Sequence, residues 1–245
     1  MRTYAIGDIH GYLDKLESAH RLISRDRAEH DDTLSPVVHV GDMVDRGPDS
    51  RGVLDFLLAG LDRGEPWVIL KGNHDRMFAG FLDDPDHHDA GLRADLNWIH
   101  PRLGGEQTLA SYGVTGVGER FLSDLGAAAR RAVPAAHRDF LAALPTSFAR
   151  GEALFVHAGI RPGVPLARQT ETDLVWIRSP FLEDPRDHGA LVVHGHTPVD
   201  VATHYGNRLN IDTGAGYGNA LSAIVLEGRD AFLLTPQGRV PLRHE

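Results

Sequence analysis

Apolar and polar positions along this chain repeat one unit: a short run rich in β-branched residues, a glycine-led polar loop, then apolar residues at helical spacing. Thr3 to Gly7 reads as a first strand. Asp14, with Glu17 three residues on, is placed to cap a helix reaching about Arg27, with Leu16, Ala19, Leu22 and Ile23 on one face and the polar tract Glu29 to Thr33 closing it. Pro36 to Val40 is the second strand, and Asp49-Ser50-Arg51 opens a helix with Val53, Leu54, Leu57, Leu58 and Leu61 on its apolar side. Trp67 to Leu70 is the third, leading through Gly72-Asn73-His74-Asp75 to a helix from Arg76. Strand-helix-strand alternation predicts parallel strands with right-handed crossovers, so three carboxyl ends share one edge of a sheet.

The period is lost over residues 82–110, an acidic, turn-rich stretch that reads either as a helical insertion walling the site or as a solvated excursion. Its histidines, His87, His88 and His100, read as surface residues. Ala135 to Leu144 is a helix bounded by Pro134 and Pro145. Ala153 to Val156 is a strand ending in His157-Ala158-Gly159, Leu174 to Ile177 is an apolar segment followed by Arg178, and Leu191 to His194 leads to Gly195-His196-Thr197-Pro198. Runs at Val201–His204, Arg208–Ile211, Ala220–Leu226 and Ala231–Leu234, with Glu227-Gly228-Arg229-Asp230 as a hairpin turn, predict short strands forming a second sheet packed on the first. No repeat or linker divides the 245 residues, which are expected to form one domain.

A net charge of −9 argues against a broad nucleic-acid surface, and bound cations would offset part of it. The absence of cysteine excludes thiolate ligands and leaves Asp, Asn and the fifteen histidines as candidate metal donors. The first apolar run begins almost at Met1 and leads directly to Asp8, leaving no room for a cleavable signal peptide, and no run of 18 apolar residues exists. A cytoplasmic protein with no membrane partner is expected. Asp8 with His10, then Asp42 with Asp45 and Arg46, then Asn73 with His74, each follow an expected strand, where open α/β sheets bind ligands. Taken singly, each loop could equally be a solvated polar turn.

Gly7-Asp8-Ile9-His10-Gly11, Gly41-Asp42-Met43-Val44-Asp45-Arg46-Gly47, Gly72-Asn73-His74-Asp75, His157-Ala158-Gly159 and Gly195-His196-Thr197 stand in that order, the first three about thirty residues apart. Together they resemble the phosphoprotein-phosphatase branch of the calcineurin-like metallophosphoesterases. The resemblance implies an α/β fold (α+β by some schemes) built as a two-sheet β-sandwich flanked by helices. It implies that Asp8, His10 and Asp42 hold one divalent ion, that Asp42 bridges, and that Asn73, His157 and His196 complete the second. Manganese is the expected ion, with iron, zinc, nickel or cobalt as alternatives. By the same resemblance, a metal-bridging hydroxide attacks phosphorus, His74 is the general acid supported by Asp45, and Arg46 and Arg178 clamp phosphate.

Pro198 stands where many nucleases and phosphodiesterases of the wider superfamily have a further histidine. With Gly-Asn-His-Asp and the tail Asn210-Ile211-Asp212-Thr213-Gly214, this looks like the bacterial members of the branch. The expected activity is serine/threonine protein phosphatase, acting on phosphoprotein or small phosphoesters. The alternative is symmetrical diadenosine tetraphosphate hydrolysis, and a non-catalytic binding module is a third reading. The preference for phosphoprotein rests on the acidic residues of 82–100, which would repel a polyphosphate if they faced the site.

Overall fold

The computed structural model describes residues 1–244. In chain order it contains β1 (Arg2–Ile6), α1 (Leu13–Glu29), β2 (Val37–His39), α2 (Ser50–Asp62), β3 (Trp67–Ile69), α3 (Asn73–Asp83), α4 (Gly105–Ser111), α5 (Leu122–Ala132) and α6 (Ala135–Ala143). Then follow β4 (Ser147–Arg150), β5 (Ala153–Val156), α7 (Glu171–Trp176), β6 (Leu191–His194), β7 (Thr203–His204), β8 (Arg208–Asn210), β9 (Ala223–Glu227), β10 (Asp230–Thr235) and β11 (Gly238–Leu242). They form two sheets, ordered β11-β10-β9-β1-β2-β3 and β4-β5-β6-β8-β7. The architecture is the expected two-sheet α/β sandwich with helices outside.

Side-chain alternation along the strands sorts the core into layers. On β1, Tyr4 and Ile6 face the helical layer of Leu16, Ile23, Leu54, Leu57 and Phe78, while Ala5 faces the other sheet. Phe155, Leu191, Val193, Leu209, Ile224 and Leu226 fill the space between sheets. The opposite phase of the second sheet, Leu154, Val156 and Val192, is covered by Leu174, Val175 and Phe181. Strands buried on both faces explain why these runs read as continuously apolar.

The tail departs from expectation. Only β7 and β8 join the second sheet; β9 pairs antiparallel with β1, and β10 and β11 extend that first sheet. The second sheet is instead founded on β5, β6 and β8, which run parallel. Periodicity cannot assign a short apolar strand to a sheet, because both sheets offer it an apolar face. The first helix is also bounded differently: Tyr12 is its cap residue and Asp14 lies within the first turn, where a carboxylate still favours the helix dipole. For α2 the expected cap holds, with Asp49 accepting from the Gly52 N–H at 2.8 Å.

Asp26 ties α1 to the interior strand β1 and the edge strand β11 of the first sheet. Its carboxylate accepts from the Tyr4 hydroxyl at 2.9 Å and from Arg239 Nε and Nη2 at 2.6 and 2.7 Å. Burial works against its charge, but these donors outweigh it and hold the carboxyl below its ordinary range. Asp26→Asn should therefore cost about 1–3 kcal/mol at neutral pH. The native advantage should be fully present above the ordinary carboxyl value of about 4 and fade as pH falls through the lower folded value. Urea midpoints of the two proteins between pH 7 and pH 2 check this; a gap that stays constant with pH would refute it.

Candidate functional site

Six parallel strand ends converge at one edge of the sandwich. β1, β2 and β3 deliver Asp8 and His10, Asp42 and Asp45, and Asn73; β5 and β6 deliver His157 and His196. The sixth, β8, delivers Asp212. The sequence pattern alone gives Asp212 no role, although it too is a polar residue with a nearby glycine at the end of an apolar run. The loops turn sharply: His10, Asp42, Asp45, Arg46 and His196 all have positive φ, between 50° and 74°. Non-glycine residues are held there only where surrounding contacts over-determine the backbone, at about 1–3 kcal/mol each. His10 therefore does not continue the extended backbone of β1, and the turn re-aims its side chain relative to Asp8.

Helix α3 begins at Asn73, three residues before the expected Arg76, so Asn73, His74 and Asp75 form its first turn. This brings free helix N–H groups to the site. The His74 N–H donates to Asp42 Oδ1 at 3.0 Å. Asp75 accepts from the N–H of Met43 at 2.9 Å and of Gly72 at 2.8 Å, joining the Asp42 loop to the Asn73 loop. Only glycine fits two neighbouring positions: a Cβ at Gly72 would lie 2.1 Å from Asp42 Oδ1, and one at Gly195 would lie 1.9 Å from Asp8 Oδ1.

Asp42 stands at the centre. One group that could hold an ion comprises His10, Asp42 and His74, and a second comprises Asp42, His157 and His196; within each, the donor atoms lie within 4.8 Å of one another. His157 Nδ1 is bonded to the Val40 carbonyl at 3.0 Å, so its Nε2 carries the lone pair. That lone pair faces Asn73 Oδ1 at 2.9 Å and Asp42 Oδ1 at 3.4 Å. His10 repeats the pattern, with Nδ1 on the Val44 carbonyl at 3.0 Å and Nε2 3.4 Å from Asp42 Oδ2. Asp8 Oδ1 and His196 Nε2 are buried with no hydrogen-bond partner. Converging lone pairs and orphaned acceptors suit a cation and little else.

The titration behaviour agrees. Burial lowers the pKa values of His10, His157 and His196, keeping them neutral as ligands must be. Burial, then the charges of Asp212 and Asp42, raise Asp8, and burial with Asp42 pushes Asp212 up to about 6. The donor groups and the expected ligand sets differ in two members. Asp8 lies outside both donor groups, its Oδ2 accepting from the His196 N–H at 3.0 Å, whereas His74 falls inside one.

His74 Nδ1 meets Asp45 Oδ2 at 2.7 Å, the pairing expected of an acid and its support. Asp45 also accepts from Trp98 Nε1 at 2.9 Å and the Thr108 hydroxyl at 2.7 Å, and neither residue was singled out for this in the sequence. Residues 82–110 thus reach the site, but as its buttress. The carbonyl of Gly104 accepts from the Arg46 N–H at 3.3 Å, and Asp89, paired with Arg76 at 2.6 Å, accepts from Trp176 Nε1 at 2.9 Å. The tract 83–86 turns toward α5, where Arg130 bonds the Asp83 carbonyl and Pro85 packs against Gly126. Arg46 Nη1 lies 2.6 Å from His10 Nε2, and Nη2 3.1 Å from His74 Nε2. Arg178 is exposed at the rim yet within electrostatic reach of Asp42, Arg46, His157 and His196.

The chain is similar to several known proteins. The asymmetrical bis(5'-nucleosyl)-tetraphosphatase PrpE of Geobacillus thermodenitrificans is 26% identical over 254 aligned residues, covering 91% of this chain and 90% of that protein. The symmetrical bis(5'-nucleosyl)-tetraphosphatase of Legionella pneumophila (strain Lens) is 45% identical over 82 residues, 34% of this chain and 27% of that one. A crystal structure described provisionally as a diadenosine tetraphosphatase superposes with a TM-score of 0.63 at 23% identity, covering all of this chain and 95% of its own. Residues 1–220 match the family model described as calcineurin-like phosphoesterase. The chain belongs to the calcineurin-like phosphoesterase family and is a phosphoric ester hydrolase.

Proposed function

We propose that the chain is a dinuclear, metal-dependent hydrolase in which Asp8, His10 and Asp42 hold one divalent ion and Asp42, Asn73, His157 and His196 hold the other. The observation that carries this is the sharing of Asp42 by two donor groups whose imidazole lone pairs point at its two oxygens. Asp212, close to Asp8, adds negative charge to the same locus. Divalent ions there would supply Lewis-acid charge to a phosphoryl group. Manganese suits the carboxylate and amide donors and iron or zinc the imidazoles.

The protein's own groups do the rest. His74 Nδ1 is committed to Asp45, so Nε2 is the nitrogen that hands a proton to the departing oxygen as water is added across the P–O bond, once Arg46, which contacts Nε2 here, turns to the phosphate. The Asp45 carboxylate stabilises the protonated ring, and Trp98 and Thr108 hold that carboxylate in place. Arg46 and Arg178 present guanidinium groups to the non-reacting oxygens.

For substrate, we favour dinucleoside polyphosphates. The acidic tract expected to repel them packs against α5, and its site-facing member, Asp89, is neutralised by Arg76. The relative aligned over nine-tenths of the chain carries a tetraphosphatase name. The exposed position of Arg178 also leaves an open rim for a phosphopeptide, which is the second reading. Metal analysis of the purified protein, then kcat/KM with manganese for diadenosine tetraphosphate and phosphoserine or phosphothreonine peptides, tests the proposal. A protein that binds no metal, or a peptide hydrolysed far faster than the dinucleotide, would overturn the corresponding part. Product analysis distinguishes symmetrical cleavage into two nucleoside diphosphates from asymmetrical cleavage.

Asp42→Asn should abolish tight binding of both ions together with activity, since one carboxylate offsets the repulsion between them; two tightly bound ions in the variant would refute the bridging role. His74→Asn should retain metal while kcat falls by about 10² to 10⁴. The loss should be smaller for p-nitrophenyl phosphate, whose leaving group needs little protonation, than for phenyl phosphate. Equal losses on the two esters would argue against His74 as the acid.

A further inference from the structure

The loop that follows Asp212 is built rigidly around one exposed aromatic ring. Gly214 and Gly218, both left-handed, bracket the single turn Ala215–Tyr217. Asp212 Oδ1 accepts from the Gly214 N–H at 2.9 Å, and Lys15 Nζ donates to the carbonyls of Ala215 and Asn219 at 3.0 and 2.7 Å, pinning both ends of the loop to α1. Gly216 lies directly against the site, where a Cβ would fall 2.6 Å from His10 Cδ2 and 3.0 Å from Arg46 Cδ. This anchoring leaves Tyr217 64% exposed, with the Arg46 guanidinium 4.6 Å from its ring centroid. Tyr217 is also within electrostatic reach of Arg178.

A large aromatic side chain held out to solvent by a loop tied down on three sides is unlike a surface residue that is exposed because nothing packs on it. The contact with Arg46 orients the ring and leaves most of it accessible. The two arginines beside it are those proposed to grip phosphate. A ligand with a planar ring joined to phosphate through a short linker would place its phosphate between Arg46 and Arg178 and its ring on Tyr217. That is the chemistry of a nucleotide.

We propose that Tyr217, fixed by Lys15 and Asp212, is the stacking platform for a substrate nucleobase and sets the preference for nucleotides over simple phosphate esters. The proposal rests on the assignment of Arg46 and Arg178 as the phosphate clamp. It requires the base to lie beside the site edge formed by residues 214–218, on the side of His10 and Arg46.

Binding measurements test it independently of turnover. Affinities of adenosine 5'-monophosphate and inorganic phosphate are measured by calorimetry on the manganese-loaded wild type and on Tyr217→Ala, Tyr217→Leu and Tyr217→Trp. The wild type should prefer the nucleotide. Tyr217→Ala and Tyr217→Leu should shrink that preference about 5- to 100-fold, the usual worth of one base-aromatic stack, and Tyr217→Trp should retain it. In turnover, the ratio of kcat/KM for diadenosine tetraphosphate to that for phenyl phosphate should fall by a similar factor in the first two variants only. Equal weakening of nucleotide and phosphate, or a leucine that serves as well as tryptophan, would overturn the stacking role. Failure of the wild type to hydrolyse either substrate would sink the catalytic reading of the preceding subsection, and the binding comparison would still decide this one.

Discussion

Three buried carboxylates, Asp8, Asp42 and Asp212, are packed among imidazoles that burial keeps neutral, and the rest of the structure depends on how that concentration of electron pairs is tolerated. A charge taken out of water without a partner is among the most costly things a fold can contain. Here the compensation comes in layers. Backbone N–H groups of His74 and His196 point at Asp42 and Asp8, Asp75 draws the surrounding loops together, and Arg46 lies against His10 and His74. What remains uncompensated, Asp8 Oδ1, His196 Nε2 and the His157 lone pair facing Asp42, corresponds to the two proposed cations.

The sandwich exists in a form that makes this possible. Each sheet contributes three parallel strands, and packing the sheets with those strands ending at one edge brings six loops to a single point. Parallel strands buried on both faces are stiff supports. The left-handed residues at their ends are the counterpart of that stiffness, because backbone strain survives only where the scaffold on either side cannot relax. Removing hydrophobic contacts between the sheets would therefore be felt first in the loops rather than in the strands.

Much of this was legible in the sequence wherever local pattern and chemistry coincide. Apolar runs ending in Gly-Asp, Gly-Asn-His, His-Ala-Gly or Gly-His mark five of the six strand ends, because a strand and then a polar group at a turn must follow one another to deliver a side chain at a sheet edge. The sixth is not legible in this way, since Asp212 sits in a tail whose short strands look alike whichever sheet they join. Asp75 is legible only as part of a motif, and α3 starts three residues before the predicted Arg76, because its cap residue Gly72 has no side chain to mark the start. Trp98 and Thr108 were out of reach for a different reason: their contacts with Asp45 span 53 and 63 residues, and no periodicity links them.

The same limit applies to the acidic tract. Composition records which charges a segment carries but not which way the segment faces, and a charge acts on a ligand only along the path it actually presents. Residues 82–110 have two faces: Trp98, Gly104 and Thr108 turn inward to brace the Asp45 and Arg46 loop, while the stretch at 83–86 turns outward onto α5. Once those charges are removed from the approach, the groups left at the mouth are Arg46, Arg178 and the ring of Tyr217. Two cations and an aromatic face distinguish a phosphate that carries a base from one that does not. Selectivity can then be set at the rim by residues 214–218 and leave the buried carboxylates unchanged, because the rim touches the ligand where it differs between substrates and the centre touches it where it does not.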